Sequence, residues 1–299
     1  MLMREINFFA PGFRRYRTSE YDGQRAEEFV SISVTGGACA LRCEHCRTQA
    51  LKGMIDLPAT GKSLFDLSAG LVLAGTRGIL VSGGSDRSGK VPLMPHIRSL
   101  TRIHSELGLS VHIHPGLPDE ATCDALSDVG ADAVMLDVIG DESTIREVYH
   151  LDAAPAHYES AIEHLERKGV PTVPHIVIGH YFGNMRGEWN ALAMIRRHNP
   201  KALVLVILTP WDAASGREST TPDLGEIGDF FHAARSAFPG TPVILGCARP
   251  LGPLRMQIDR LAVQAGLDGI AYPADGVAAF VRQEQIVPRF VNGCCTLPW

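Results

Sequence analysis

Apolar and polar positions repeat along this chain with two periods. Short runs rich in Val, Ile and Leu have the two-residue period of strands: Phe29–Thr35, Gly78–Gly83, Leu109–His114, Ala133–Val138, Thr172–Ile178, Leu203–Leu208, Pro242–Cys247 and Gly269–Tyr272. Between them, stretches such as Ala156–Lys168, Met185–Arg197 and Leu254–Ala265 carry apolar residues at helical spacing. Gly108, Gly130, Gly169 and Gly266 stand where helices should close. Eight strand–helix units in 299 residues predict an α/β fold, a single-domain (βα)8 TIM-type barrel with parallel strands and crossover helices. A doubly wound open sheet uses the same units, and counting them does not prove closure. The expected layout is an N-terminal extension (1–28), the barrel (29–283) and a cysteine-bearing tail (284–299) over the barrel mouth.

The strand faces add a chemical expectation. Ser31, Ser33 and Thr35 share one face of the first run, and Ser110, His112 and His114 share one face of the third. His175 alternates with apolar neighbours in the fifth, and Asp137 lies near the end of the fourth. Helices on the outside of a barrel need an apolar surface, so these polar faces should point inward. Barrel interiors are usually filled by branched apolar side chains. A polar interior therefore suggests a cavity for a polar ligand, although satisfied core polar groups would give the same pattern at any one position.

Composition narrows the class without naming the chemistry. The chain is 45% apolar and 20% charged, with a formal charge of −5, which gives no overall attraction to nucleic acid or anionic membranes. No apolar run approaches the roughly 20 residues of a membrane span, and the charged N-terminus does not resemble a signal peptide. A cytoplasmic protein is expected. Seven cysteines, three of them within residues 39–46, argue for metal or cluster ligation rather than a disulfide framework.

That cysteine group follows the first strand directly: Thr35-Gly-Gly-Ala-Cys39-Ala-Leu-Arg-Cys43-Glu-His-Cys46. The C-x3-C-x2-C spacing sits on a glycine-opened loop at the C-terminal end of a strand, where barrel enzymes build active sites. A short loop can wrap three thiolates around one iron–sulfur cluster. Three ligands on a four-iron–four-sulfur cluster leave one iron open, and S-adenosylmethionine can chelate it through its amino and carboxylate groups. A structural zinc site would want a fourth ligand at regular spacing, and His45 is squeezed between two cysteines. An electron carrier would want four cysteines per cluster and a smaller chain.

With this spacing, position and fold, the chain resembles the radical S-adenosylmethionine superfamily. His45 stands where that superfamily usually has an aromatic residue. The resemblance makes Cys39, Cys43 and Cys46 the cluster ligands and catalytic centre. It makes Ser82-Gly83-Gly84-Ser85 the element that meets the methionyl amino group, with Ser85 or Asp86 in place of the usual Glu. By the same resemblance Asp137 would bond the ribose hydroxyls. Ile178-Gly179, with the later Glu188, would lie beside the adenine, as would Thr209 in Leu208-Thr209-Pro210. Each of these last assignments has a purely structural alternative.

Several segments resemble the biotin-synthase-like branch: Val34-Thr35-Gly36, Val81-Ser82-Gly83-Gly84, His114-Pro115-Gly116-Leu117, Asp137-Val138-Ile139-Gly140-Asp141, Pro174-His175-Ile176, Gly246-Cys247-Ala248-Arg249-Pro250 and Cys294-Cys295. The resemblance points most closely to a subunit of the two-component lipoyl synthases, and it counts His114 among the cofactor-binding residues. It implies sulfur insertion at C6 and C8 of a protein-bound octanoyl group. The implied partners are a second radical S-adenosylmethionine subunit, an octanoylated carrier protein or lipoyl domain, and reduced ferredoxin or flavodoxin as electron donor. Sulfur insertion needs a sulfur donor, which suggests an auxiliary iron–sulfur cluster on Cys247, Cys294 and Cys295, with Arg249 as a fourth group. Cys123 reads as an ordinary helix residue. Arg14, Arg15 and Arg17 could receive an acidic carrier domain or form a solvated basic turn. The rival readings are biotin synthase itself, a cofactor-maturing or methylating enzyme, and a non-catalytic iron–sulfur protein.

Overall fold

The computed structural model describes residues 4–210 and 218–296. Eleven strands occur in chain order: β1 (Glu5–Phe9), β2 (Phe29–Ser33), β3 (Ile55–Asp56), β4 (Gly78–Ser82), β5 (Ser110–Ile113), β6 (Ala133–Asp137), β7 (Thr172–Ile178), β8 (Leu203–Ile207), β9 (Val243–Leu245), β10 (Gly269–Ala271) and β11 (Val287–Val291). The helices are α1 (Leu57–Thr60), α2 (Leu64–Leu73), α3 (Ile97–Leu107), α4 (Glu120–Ser127), α5 (Glu142–Val148), α6 (Pro155–Arg167), α7 (Glu188–Ile195), α8 (Leu224–Ala237), α9 (Pro253–Gln264) and α10 (Val277–Gln283). All eight runs expected from the two-residue period are strands. Acceptor side chains set several helix starts: Asp119 on α4, Asp141 on α5 and Asp223 on α8 each accept from backbone N–H groups of the first turn.

Every strand pair is parallel, in the order β11-β1-β10-β9-β8-β7-β6-β5-β4-β2-β3. The architecture is a TIM-type α/β barrel whose hydrogen-bonded ladder stays open, since β11 and β3 end the sheet without pairing to each other. The 1–28 segment contributes β1 to the sheet, between β10 and β11. β1, the two-residue β3 and β11 had no counterpart among the expected strands. Pro288 interrupts the last of these, and a proline without an N–H is tolerated there because β11 is an edge.

The two faces of the sheet bury two apolar clusters. The larger lies between sheet and helices, and includes Ile32, Ile79, Val111, Leu136, Ile176 and Ile178. The smaller gathers Phe29, Ala133, Met135, Val173, Val204, Ile244 and Tyr272 with Cys294 and Cys295. Strand alternation places this second set on the opposite, interior face. The polar cavity foreseen along whole strands is thus confined to one level. Apolar side chains fill most of the lower interior around the buried His112 and Thr296, while Ser33, Ser82, His114 and Asp137 stand at or near the strands' C-terminal ends, with His175 level with Asp137.

Candidate functional site

The cysteine loop leaves β2 at its C-terminal end and is braced by the β4 glycines. Thr35 Oγ1 accepts from Gly84 N at 2.7 Å, and Ser85 O accepts from Ala40 N at 2.8 Å. A Cβ on Gly84 would come 1.9 Å from Ala38 O and 2.6 Å from Cys39 Cβ. No other residue fits where two backbones touch this closely. Gly83 and Gly84 therefore seat the loop, while Ser82 Oγ donates to His114 O at 2.9 Å and ties β4 to β5. Asp86 is exposed and spends Oδ1 on the N–H groups of Ser88 and Lys90 in its own turn. Burial pushes the Cys43 thiol far up, with further upward pressure from Cys46 and Cys39; burial also raises Cys46. Thiols this desolvated give up their protons most readily to a positive metal group.

Asp137 ends β6 facing the same mouth, with Oδ1 3.8 Å from His114 Nε2. Both are enclosed in the barrel, yet their side chains are 27% (His114) and 30% (Asp137) accessible, so they border a void. Burial alone would raise the Asp137 carboxyl; His114, His175 and His180 outweigh it and hold the acid well below the usual carboxylate range. Burial drives His175 down to about 4, so at neutral pH it is uncharged. His175 Nδ1 lies 2.9 Å from Val173 O, a carbonyl that can only accept. The ring therefore carries its proton on Nδ1, leaving Nε2 as an acceptor.

Beside Cys43 and Cys46 lies a group that sequence reasoning missed. The rings of His45, Tyr149 and His180 meet with centroids 4.6–4.9 Å apart, and Cys43 Sγ is 3.9 Å from Tyr149 O. His45 Nδ1, Tyr149 Oη and His180 Nε2 are buried without a hydrogen-bond partner. Burial lowers His45 to about 4 and His180 further, and raises Tyr149. Three such atoms side by side are costly in a finished core and suit a ligand-facing wall. His180 follows Ile178-Gly179 directly, which is the only sequence hint. A small pocket of ≈10 Å³ adjoins it, lined in part by Val138, Ile139, Gly140 and Glu188.

Glu188 shapes that wall. Its Oε1 accepts from Gly179 N at 2.8 Å and His180 N at 3.1 Å, and its Oε2 from Arg186 N at 2.7 Å. The buried carboxylate clamps the loop after β7 and starts α7 three residues later than the apolar spacing suggested. Gly179 has φ +75° and packs against Pro222. Ile178 buries its side chain in the outer core, and its carbonyl accepts from Leu208 N. Thr209 follows β8, half-buried.

The remaining candidate thiols converge from distant segments. Cys247, just after β9, packs against the interior cluster that holds Cys294 and Cys295. Gly293, at φ +150°, turns the chain inward from β11, a conformation a side chain would strain. The hydrogen bond between the neighbouring thiols lowers Cys294 and raises Cys295, and burial raises Cys247. Cys123 is fully buried in α4.

Arg249, expected as a fourth group beside these thiols, spends its side chain on the protein. It and Asp259 are both 0% exposed and paired at 2.8 Å, and its other nitrogens donate to Gly246 O, Ala271 O and Tyr272 O at 2.7–3.0 Å. The cation with the stronger pull on Cys247 is Arg14. Its guanidinium lies 4.2 Å over the Tyr272 ring. Gln24 holds this turn by donating to Pro11 O and Arg14 O.

No protein-family model and no curated protein sequence matches the chain. Solved structures do share its fold. Methylornithine synthase (PylB) superposes with a TM-score of 0.59 at 15% identity, over 87% of this chain and 82% of that one. The FeFe-hydrogenase maturase HydG from Carboxydothermus hydrogenoformans gives 0.60 at 13%, over 97% and 69%. Streptococcus suis SuiB, solved bound to S-adenosylmethionine, gives 0.53 at 12%, over 75% and 50%. The chain thus spans about half of SuiB. At these identities the likeness establishes the architecture.

Proposed function

We propose that this chain is a radical S-adenosylmethionine enzyme whose Cys39, Cys43 and Cys46 hold a four-iron–four-sulfur cluster. The observation that carries the reading is the seating of three thiols on a glycine-braced loop at the barrel mouth, beside three buried polar atoms that lack partners. The residues present fit both groups. The unpartnered His45, Tyr149 and His180 atoms supply the polar wall a nucleoside needs, and Asp137 is held ionised to accept from its hydroxyls.

When bound, the two groups together supply an adenosyl radical able to abstract hydrogen from an unactivated carbon. The chain's own residues do the positioning. Gly84 keeps the cysteine loop against β4, and Glu188 fixes His180 against the pocket. His175 presents Nε2 as an acceptor from the floor of the mouth.

Within that class, sulfur insertion as a lipoyl synthase subunit is the finer reading. It is supported by three thiols outside the loop, Cys247, Cys294 and Cys295, that meet inside the barrel, with the charge of Arg14 acting on Cys247. They would hold an auxiliary cluster as the sulfur source. Octanoylated carrier would approach Arg14, Arg15 and Arg17, with a second subunit and reduced ferredoxin or flavodoxin as partners. Iron and acid-labile sulfide per chain after anaerobic reconstitution test both levels. About eight irons in the wild type and about four in the Cys39/Cys43/Cys46→Ala triple variant support two clusters. Four and none leave only the first. Reductant-dependent cleavage of S-adenosylmethionine by the wild type, absent in Cys43→Ala, separates an enzyme from an iron–sulfur scaffold. Turnover of an octanoyl-lysine peptide but not dethiobiotin separates lipoyl from biotin chemistry.

A further inference from the structure

We infer that a hydrogen-bonded latch through His112 holds Cys294 and Cys295 inside the barrel, which makes His112 a positioning residue of the second thiol group. The inference deepens the reading of that group as a ligand site and rests on it for its functional meaning. Its geometry stands by itself.

Segment 292–296 follows β11 and has no regular structure of its own. Its side-chain anchors lie at two places. Near the rim, Asn292 accepts from Tyr21 Oη at 2.5 Å and donates to Gly23 O at 2.9 Å. In the interior, Thr296 Oγ1 lies 2.6 Å from His112 Nδ1 and 3.1 Å from Cys294 Sγ. His112 Nε2 is 3.0 Å from Ser110 Oγ, and Ser110 Oγ donates to Asp132 Oδ2 at 3.1 Å. Val111 N donates to the same oxygen at 2.8 Å.

The order of donors follows from the ends of the chain of bonds. A carboxylate only accepts, so the single Ser110 hydroxyl proton goes to Asp132. Ser110 must then accept from His112 Nε2–H. A neutral imidazole protonated at Nε2 has Nδ1 as its acceptor, and Thr296 divides its one hydroxyl proton between that nitrogen and Cys294 Sγ. His112 is fully buried, with its ring edge-on to Phe29 at 5.1 Å, so either tautomer error or a lost partner would strand a polar atom in the interior cluster. The ring thus reads the position of Thr296, and through it the two thiols that precede it.

Thiol labelling of the reduced, metal-free full chain tests the latch, followed residue by residue by mass spectrometry with iodoacetamide. Cys123, fully buried in α4, reports global unfolding. His112→Phe should speed labelling of Cys294 and Cys295 about tenfold, the scale of one buried hydrogen bond, with Cys123 still protected. His112→Asn, whose amide can replace one edge of the ring, should recover part of the protection. Unchanged labelling at 294 and 295 overturns the inference. Should Cys123 open in His112→Phe, Thr296→Val carries the same expectation and the same overturning result. Cadmium uptake by the Cys39/Cys43/Cys46→Ala triple variant, read by thiolate charge-transfer absorption, judges the ligand reading separately. Labelling that behaves as expected without any uptake keeps the latch and removes the metal. Uptake by three thiolates that falls toward one when His112→Phe is added supports both.

Discussion

The two thiol groups are built in opposite ways. Cys39, Cys43 and Cys46 occupy one short loop, and the loop's shape is enforced by backbone contacts to Gly83 and Gly84. Cys247, Cys294 and Cys295 come from two segments that share no local spacing and meet only because β9, β11 and the interior cluster bring them together. The first is open to the mouth at Cys39 and Cys46, whereas two thiols of the second are sealed. A local group tolerates distant change and fails by backbone contact. An assembled group fails whenever either segment is released.

The largest effect should come from Gly84→Ala. The added Cβ cannot coexist with Ala38 O, so the loop must move by an ångström or more, which costs catalysis on the order of 10²-fold or more. Iron bound at the loop should fall with it, while cadmium bound at the second group stays. Loss at both groups would show that the two sites are not separable. Asp259→Ala inverts the test. It leaves Arg249 charged and buried without its partner, at about 3–5 kcal/mol of stability, and frees the loop that carries Cys247. Urea unfolding should show the loss, and cadmium uptake should fall at the second group only.

The same contrast explains what was legible in the sequence. The first group could be read from spacing, because loop and glycines are close in sequence and each residue type has one job there. All eight runs with clean alternation became strands for the same local reason. β1 and β11 were not readable: their strand character is decided by pairing with each other and with β10, and Pro288 argues against a strand anywhere but an edge. Arg249 beside Cys247 suggested a shared ligand role, but the backbone turns its side chain toward Asp259 on α9, a contact only the tertiary fold determines. Arg14 was read as part of a basic turn, since nothing local shows that Tyr272 lies beneath it. Tyr149 and His180 carried no pattern at all, being joined to His45 across three separate loops.

Acid should unfasten the assembled group with a defined sign. Burial lowers His112 and His175 from the ordinary 6.5 to about 4. The unfolded chain therefore binds these protons first, so stability is complete above pH 6.5 and declines progressively as pH falls toward 4. Each group contributes up to about 3 kcal/mol. The urea midpoint should drop between pH 7 and 5, and His112→Asn should flatten that decline. A decline equally steep in His112→Asn would assign it to other groups.

The smallest effect isolates charge from packing. Arg14 lowers Cys247 against the upward pull of burial and of Cys294. Arg14→Gln keeps most of the stem over Tyr272 and removes the charge, whereas Arg14→Lys keeps a charge without the planar stacking. If charge is what matters, Cys247 in the metal-free chain should alkylate several-fold more slowly in the Gln variant, whose thiol is no longer held down by the cation, and near the wild-type rate in the Lys variant. The reactivity of Cys39, on the other group, should not change in either. Equal slowing in both would mean that the guanidinium acts by stacking on Tyr272 and holding the 10–16 turn. The assembled group would then depend on shape at every member, with no electrostatic help of its own.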